Sequence, residues 1–245
     1  MSTCRRVAIC VLILAAVPLF ANKRRAVSPP SNNVPAANCV NYGFARVGLK
    51  ASYLSTTPNG DVNFTITYIS DVEGQTKTTQ TSTTAQGTAT VDTTIDTERV
   101  GVFRATKHVN VKGSTEVPGL GSITSETDIT FVPSLVTGPV EGWCAGATWD
   151  VAPSTETVVT KTIAGQTTNI VTTSASQGAV LAIGESVTVP AGTFQCVKYR
   201  GVSTTGSSVS PTITWLSVHD YVVVKQDTLD GSGNVTTTTV LTSLQ

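Results

Sequence analysis

The clearest pattern along the chain is alternation. From Val62 to Tyr68 the apolar residues Val62, Phe64, Ile66 and Tyr68 fall on one face of an extended strand, and Asn63, Thr65 and Thr67 fall on the other. One buried and one wet face follow from this spacing. Val109 and Val111 alternate in the same way with His108, Asn110 and Lys112, and Ile129 and Phe131 form a third apolar pair. Elsewhere the pattern blurs. Residues 76–94 and 236–239 carry threonine on both faces, which predicts strands at an edge, at a rim or over a shallow part of the core, with weakly specified register. No stretch beyond residue 21 sustains an apolar period of 3.6 residues. The segment Gly178 to Gly184 (GAVLAIG) reads equally as a short helix or a buried strand.

Turn residues punctuate these runs at short intervals. Asn59-Gly60, Glu73-Gly74, Gln86-Gly87, Lys112-Gly113, Ala164-Gly165, Pro190-Ala191-Gly192 and Asp230-Gly231-Ser232-Gly233 are each flanked by Val, Ile, Thr and Tyr. That cadence belongs to short antiparallel strands joined by hairpins. In the Pro190 hairpin, proline presets φ at the first corner and Gly192 permits a positive φ at the next, so Val187, Val189 and Phe194 are expected to face one core. The expected fold is all-β: an antiparallel curved sheet forming an open half-barrel or a β-sandwich of roughly 10–12 short strands.

The N-terminus reads differently. Met1 to Arg6 is short and basic, Val7 to Ala21 is an uncharged apolar run, and Leu19-Phe20-Ala21 fits a small-residue cleavage site. Residues 1–21 are therefore read as a signal peptide, too short to span a bilayer comfortably. Lys23, Arg24 and Arg25 follow at once, the arrangement of an anchor that stays uncleaved. Residues 22–38, with three prolines and adjacent asparagines, read as a linker. Residues 39–245 are expected to be a single antiparallel β domain in a secreted or periplasmic compartment of the bacterial cell envelope.

Composition narrows the functional classes. The 245 residues include 43 Thr, 34 Val and 22 Ser, whereas charged residues make up 13%, about half the usual ~25%. The formal net charge is zero, so no electrostatic footprint for nucleic acid exists. Lys77, Asp92, Asp96, Lys107, Lys112, Asp128 and Lys161 stand singly among the threonines, either as gatekeepers against strand pairing or as ordinary surface charge. With two histidines and no HExxH, CxxC, Walker A or GxSxG pattern, the sequence holds little recognisable chemistry. No catalytic residue, metal ligand or cofactor is assigned, and the chain reads as non-enzymatic. His108 is expected on a solvent-facing strand surface. His219-Asp220 is the nearest thing to an oriented base, but neighbours on a continuing strand point to opposite faces. The Asp227 to Asn234 loop has oxygen ligands but lacks calcium-loop spacing, and is read as a hairpin turn.

Cys39, Cys144 and Cys196 lie beyond the signal. Cys144 and Cys196 are the favoured disulfide pair, both lying in strand segments flanked by Trp or Phe; a pair involving Cys39, or three reduced thiols, remain the alternatives.

The second half has a more particular order. Gly142 to Trp149 (GWCAGATW) precedes Glu185 to Lys198 (ESVTVPAGTFQCVK), then Thr214-Trp215 and Val222 to Lys225. Over about residues 140–245 this order resembles a family of uncharacterised bacterial envelope proteins, often lipoproteins or periplasmic proteins, similar in architecture to lipoprotein-carrier half-barrels. The resemblance implies a concave apolar trough lined by Trp143, Trp149, Phe194 and Trp215. The function implied is an exported protein binding a lipid-like ligand or an envelope partner protein, with membrane contact only through an uncleaved N-terminal segment. A Thr-rich structural or adhesive surface domain is the alternative, and a hydrolase using His219 the third.

Overall fold

The computed structural model describes residues 39–41, 43–84, 87–117, 121–140, 142–162 and 165–245. The expected signal (1–21) and linker (22–38) lie outside the described residues. The strands are β1 (Cys39–Val40), β2 (Lys50–Thr57), β3 (Gly60–Val72), β4 (Gln75–Thr84), β5 (Gly87–Val100), β6 (Phe103–Val117), β7 (Gly121–Pro139) and β8 (Trp143–Cys144). They continue as β9 (Thr148–Asp150), β10 (Ser154–Thr162), β11 (Thr167–Val189), β12 (Gly192–Thr205), β13 (Ser208–Ser217), β14 (Val223–Leu229) and β15 (Val235–Leu244).

Twelve strands close into one antiparallel up-and-down barrel, in the order β2 to β7, then β10 to β15, and back to β2. This corrects the open half-barrel and the sandwich. Closure comes from β10, which pairs with β7 on one side and with β11 on the other, and from β15, which pairs with β2. Closure removes the open edge along the upper part of the wall; lower down, β7 and β11 run on past β10, and β9 pairs with β11 only at 177–179. The threonine-rich strands β4 and β5 are accordingly central, not marginal. Their register is pinned on the outer face by Thr79 Oγ1 donating to Asp92 (2.6 Å), and at the lower end by Gln75 Nε2 donating to Asp96 (2.7 Å).

Cross-strand partners share a face, so the inner surface can be followed around the wall. Tyr53 pairs with Phe64, Ile66 with Gln80, Gln80 with Val91, Val91 with Gly113, Val111 with Thr127 and Ile129 with Val158. Tyr53, Phe64, Val111 and Ile129 are buried, whereas the alternate positions Lys50, Asn63, Lys77, Asp92 and Lys112 are exposed. The segment 178–184 lies inside β11 as a strand with two irregularities, and Gly184 takes φ +73° at the second.

Apolar packing gathers at the end that carries the β3–β4, β5–β6, β11–β12 and β13–β14 turns, here the lower end. One cluster joins Ala45, Leu49, Ala51, Tyr53, Phe64, Val222 and Leu241. A second joins Ala105, Val136, Trp143, Trp149, Val180 and Val197, and a third joins Cys196, Trp215 and Val224. Two crossing segments cap this end, residues 39–41 with 43–49, and the described residues 140 and 142–153 between β7 and β10. β1 pairs with β8 there, and a disulfide joins Cys39 to Cys144. Cys196 is a free, buried thiol, which corrects the Cys144–Cys196 pairing. The physical reason is register: β12 carries Cys196 opposite Ser217 and Glu185 in the barrel wall, whereas β8 is held against β1 in the cap. The proline hairpin forms as expected, with Val189 opposite Gly192 and Val187 opposite Phe194.

Candidate functional site

The four aromatic residues singled out by sequence do not line one trough. Trp143 and Trp149 belong together, 6.3 Å apart, and both lie against Tyr199, at 5.0 and 6.3 Å. Trp143 Nε1 donates to the Pro139 carbonyl at 2.6 Å, and Trp149 Nε1 donates to Ser176 Oγ at 3.3 Å. Trp149 lies flat on Gly178, where a Cβ would meet the ring at 2.1 Å. Glycine is therefore required at 178, a requirement set by tertiary packing. The hollow beside Trp143, lined by Val40, Val197, Leu216, Val218 and Tyr221, holds about 10 Å³, the room of a single water. Phe194 and Trp215 pack separately with Val187, Val189 and Ile213. Lys198 and Lys225 stand 4.9 and 4.6 Å from the Trp215 ring centre. Its Nε1 donates to Glu185 at 2.8 Å.

His219 is exposed in the β13–β14 turn. The strand stops at Ser217, and the Asp220 carboxylate accepts from Ser217 Oγ at 3.1 Å, as the Ser217 oxygen in turn accepts the backbone N–H of Asp220. The Asp230 carboxylate caps its own hairpin, accepting the N–H groups of Ser232 and Asn234 at 2.8 Å each. The Asn234 side-chain amide, and then these backbone bonds, hold its titration below the usual carboxylate range. Among the described residues, no group of three His, Cys, Asp or Glu side chains is placed to hold a metal ion.

The concentration of polar chemistry is on the outer wall. Following the register, Asp92 pairs with Lys112, Lys112 with Glu126, and Glu126 with Lys161. Four strands thus carry one row of alternating charge, negative, positive, negative, positive. Opposite charges in directly facing positions stabilise the pairing of their strands, and Lys112 Nζ lies 3.2 Å from Glu126. Below this row His108 bridges two carboxylates, with Nδ1 3.2 Å from Asp96 and Nε2 3.3 Å from Asp128. It lies on the solvent-facing side of its strand as expected, but half-buried in this clamp. Asn110 Nδ2 donates to Asp128 at 2.8 Å and to Glu126 at 3.0 Å. Bonds from Gln75 and then His108 hold Asp96 below its ordinary range; bonds from Asn110 and then His108 do the same for Asp128. Asn110 and Lys112 lower Glu126.

Between these groups and the upper turns lies a hollow of about 410 Å³, lined by Thr90, Asp92, Lys112, Ser114, Glu126 and Lys161, with Gly113, Thr124 and Ser125. Its lining offers two carboxylates, two ammonium groups and several hydroxyls, and contains no apolar side chain. The sequence showed each charge singly. The row was not legible because its members are 14 to 35 residues apart in sequence, and only the register aligns them.

No family model matches the chain, and neither does any curated protein. Two solved structures do. One is a candidate lipoprotein from Parabacteroides distasonis ATCC 8503, with 14% identity, TM-score 0.35, and coverage of 85% of this chain and 100% of that one. The other is a candidate exported protein with a YmcC-like fold from Bacteroides fragilis NCTC 9343, with 10% identity, TM-score 0.35, and coverage of 84% and 100%.

Proposed function

We propose that the chain is an exported, non-enzymatic envelope barrel that binds a hydroxyl-rich partner, an envelope polysaccharide, on its outer wall. The observation that carries this reading is the polar hollow over β5, β6, β7 and β10. Its volume falls in the range of ligand sites, and its alternating charges and hydroxyls offer both donors and acceptors to a polyol without favouring a polyanion. Export is supported by the Cys39–Cys144 disulfide, since such bonds persist in oxidising compartments. A barrel standing in water, rather than embedded in lipid, accounts for the charges at mid-strand on the outer face, where each lysine would cost about 2–4 kcal/mol at the centre of a bilayer and each carboxylate less. This reading is nearer to the Thr-rich adhesive surface domain than to the lipid-like ligand, because the aromatic side chains fill their own space.

The test is co-sedimentation of the purified chain with insoluble bacterial cell-wall polysaccharide, wild type against Asp92→Ala with Lys161→Ala. Sedimentation of the wild type that falls about tenfold in the variant is the expected result. Equal sedimentation of the two sinks the proposal. An apolar ligand in the Trp143 region predicts instead that the folded monomer takes up an apolar dye and that Trp149→Ala changes that uptake.

A further inference from the structure

The lower rim carries a surface that the polysaccharide reading does not use. Three segments meet there side by side. The Ala45 N–H donates to Asp71 (2.7 Å) and Gly48 N–H to the Tyr68 carbonyl (2.8 Å), which sets residues 44–48 against the end of β3. Thr97 N–H donates to the Gly74 carbonyl (2.8 Å), which sets the β3–β4 turn against β5, and Val140 N–H donates to Val102 (2.8 Å). Along this arc Phe44, Val47, Ile69, Val72, Val100 and Val102 are 42 to 62% exposed. Isolated exposed valines need no explanation, but six exposed apolar residues gathered at one end of the barrel make a candidate interaction surface.

The opposite end also exposes apolar residues, Ile123, Ile170 and Val171 on the strands near it, but its turns are polar. Its described turns read Thr57-Pro58-Asn59-Gly60, Thr205-Gly206-Ser207-Ser208 and Leu229-Asp230-Gly231-Ser232-Gly233-Asn234-Val235, with Val235 the one strongly exposed large apolar residue among them.

We infer that this rim seats on a lipid bilayer surface, so that the barrel stands lower end down on the membrane with its polar wall facing outward. The occupant is argued from where the chain leaves. Cys39 is bonded to Cys144 in the cap, and Val40 lines the small hollow with Ser217 and Tyr221 of the β13–β14 turn. We take the uncleaved alternative raised by Lys23, Arg24 and Arg25, in which the fifteen-residue apolar run Val7 to Ala21 stays attached to the chain ahead of Cys39. Arg46, Lys50 and Arg99 are exposed beside the apolar arc together with Glu73 and Glu98, a mixture that suits zwitterionic headgroups. Four valines, one isoleucine and one phenylalanine, each about half-exposed, bury too little area for irreversible insertion, so the contact is weak and reversible and orients a barrel that the N-terminal segment brings near. The membrane contact thus extends beyond the N-terminal segment to which the sequence confined it.

The test is hydrogen exchange of the full chain with and without vesicles of phosphatidylethanolamine and phosphatidylglycerol. Exchange at 44–49, 69–74 and 99–103 is expected to slow several-fold with vesicles, while 57–60 and 229–235 stay unchanged. Val47→Ser with Val72→Ser and Val102→Ser alters only exposed side chains; it is expected to keep the melting temperature and lose the rim protection, although its N-terminal segment is intact. Rim exchange that vesicles leave unchanged overturns the proposal, as does equal protection at both ends. Rim protection that rises with protein concentration in the absence of vesicles assigns the surface to a second copy and also overturns it. The polysaccharide assay reads the other face, so either proposal can fail alone.

Discussion

Removing the cap's covalent staple is the most direct probe of how this barrel is held together. Cys39 and Cys144 are 105 residues apart, and their bond ties the two cap segments together across the lower end. In the chain-entropy account a closed loop of this length removes about 4.7 kcal/mol of conformational freedom from the unfolded state at 25 °C. For a chain of this size each kcal/mol shifts the melting temperature by about 2–4 °C, so Cys39→Ser with Cys144→Ser is expected to melt roughly 10–20 °C lower. The loss is also expected to be uneven. With the staple gone, β1 and β8 keep only two residue pairs to each other, so Trp143 should lose its rigid packing before the wall unfolds. Circular dichroism at 215 nm follows the wall, and near-ultraviolet dichroism follows the tryptophans. Coincident transitions at the wild-type temperature would refute the reasoning. So would peptide mapping of unreduced protein that finds Cys144 joined to Cys196.

Gly178→Ala forces a methyl into the Trp149 ring and is expected to destabilise by about 3 kcal/mol through overpacking, read as a lower urea midpoint; an unchanged midpoint contradicts the packing. The Cys196 thiol is pushed up to about 11, chiefly by burial and further by the Glu185 carboxylate, so native protein at pH 8 should resist iodoacetamide at this position and react after unfolding. The lowered carboxylates Asp96 and Asp128 make a signed prediction. Their contribution to stability is present above the ordinary carboxylate range and is lost as pH falls through their depressed folded values. Asn110→Ala removes the main cause of the depression at Asp128 and Glu126; their titration by carboxyl NMR should move up, and the stability difference between pH 6 and pH 3 should shrink. Unmoved titrations would show that the Asn110 bonds do not persist in solution.

Much of the fold was legible because β structure writes a period of two. Val62 to Tyr68 and Val109 to Val111 alternate because one face of the wall meets the core, and the proline hairpin at 190–192 is specified by the backbone preferences of two residues. The threonine strands misled for a physical reason. A strand with hydroxyls on both faces looks marginal if sheets have edges, but in a closed barrel the inner face of β4 meets Thr93 and Val91 of β5 across the lumen wall and needs no continuous apolar row. Closure itself has no local signal. It is decided when β15 finds β2 across nearly the whole chain, and when β10 pairs back on β7 as well as with its hairpin neighbour β11.

The same division holds at the sites. The residue types alone determined an all-β chain of low charge, without the spacing of a metal or nucleophile centre, and with a basic-apolar-basic N-terminus. Which cysteines pair was decided by the cap, because pairing depends on which segments are carried to the same end of the barrel. Whether the tryptophans line a trough was decided by Gly178, which lets Trp149 lie on β11 and fill the space. The alternating row Asp92, Lys112, Glu126 and Lys161 exists only as a product of register. Each charge appears in the sequence as a lone polar residue among threonines, and cross-strand hydrogen bonding turns the four into a surface.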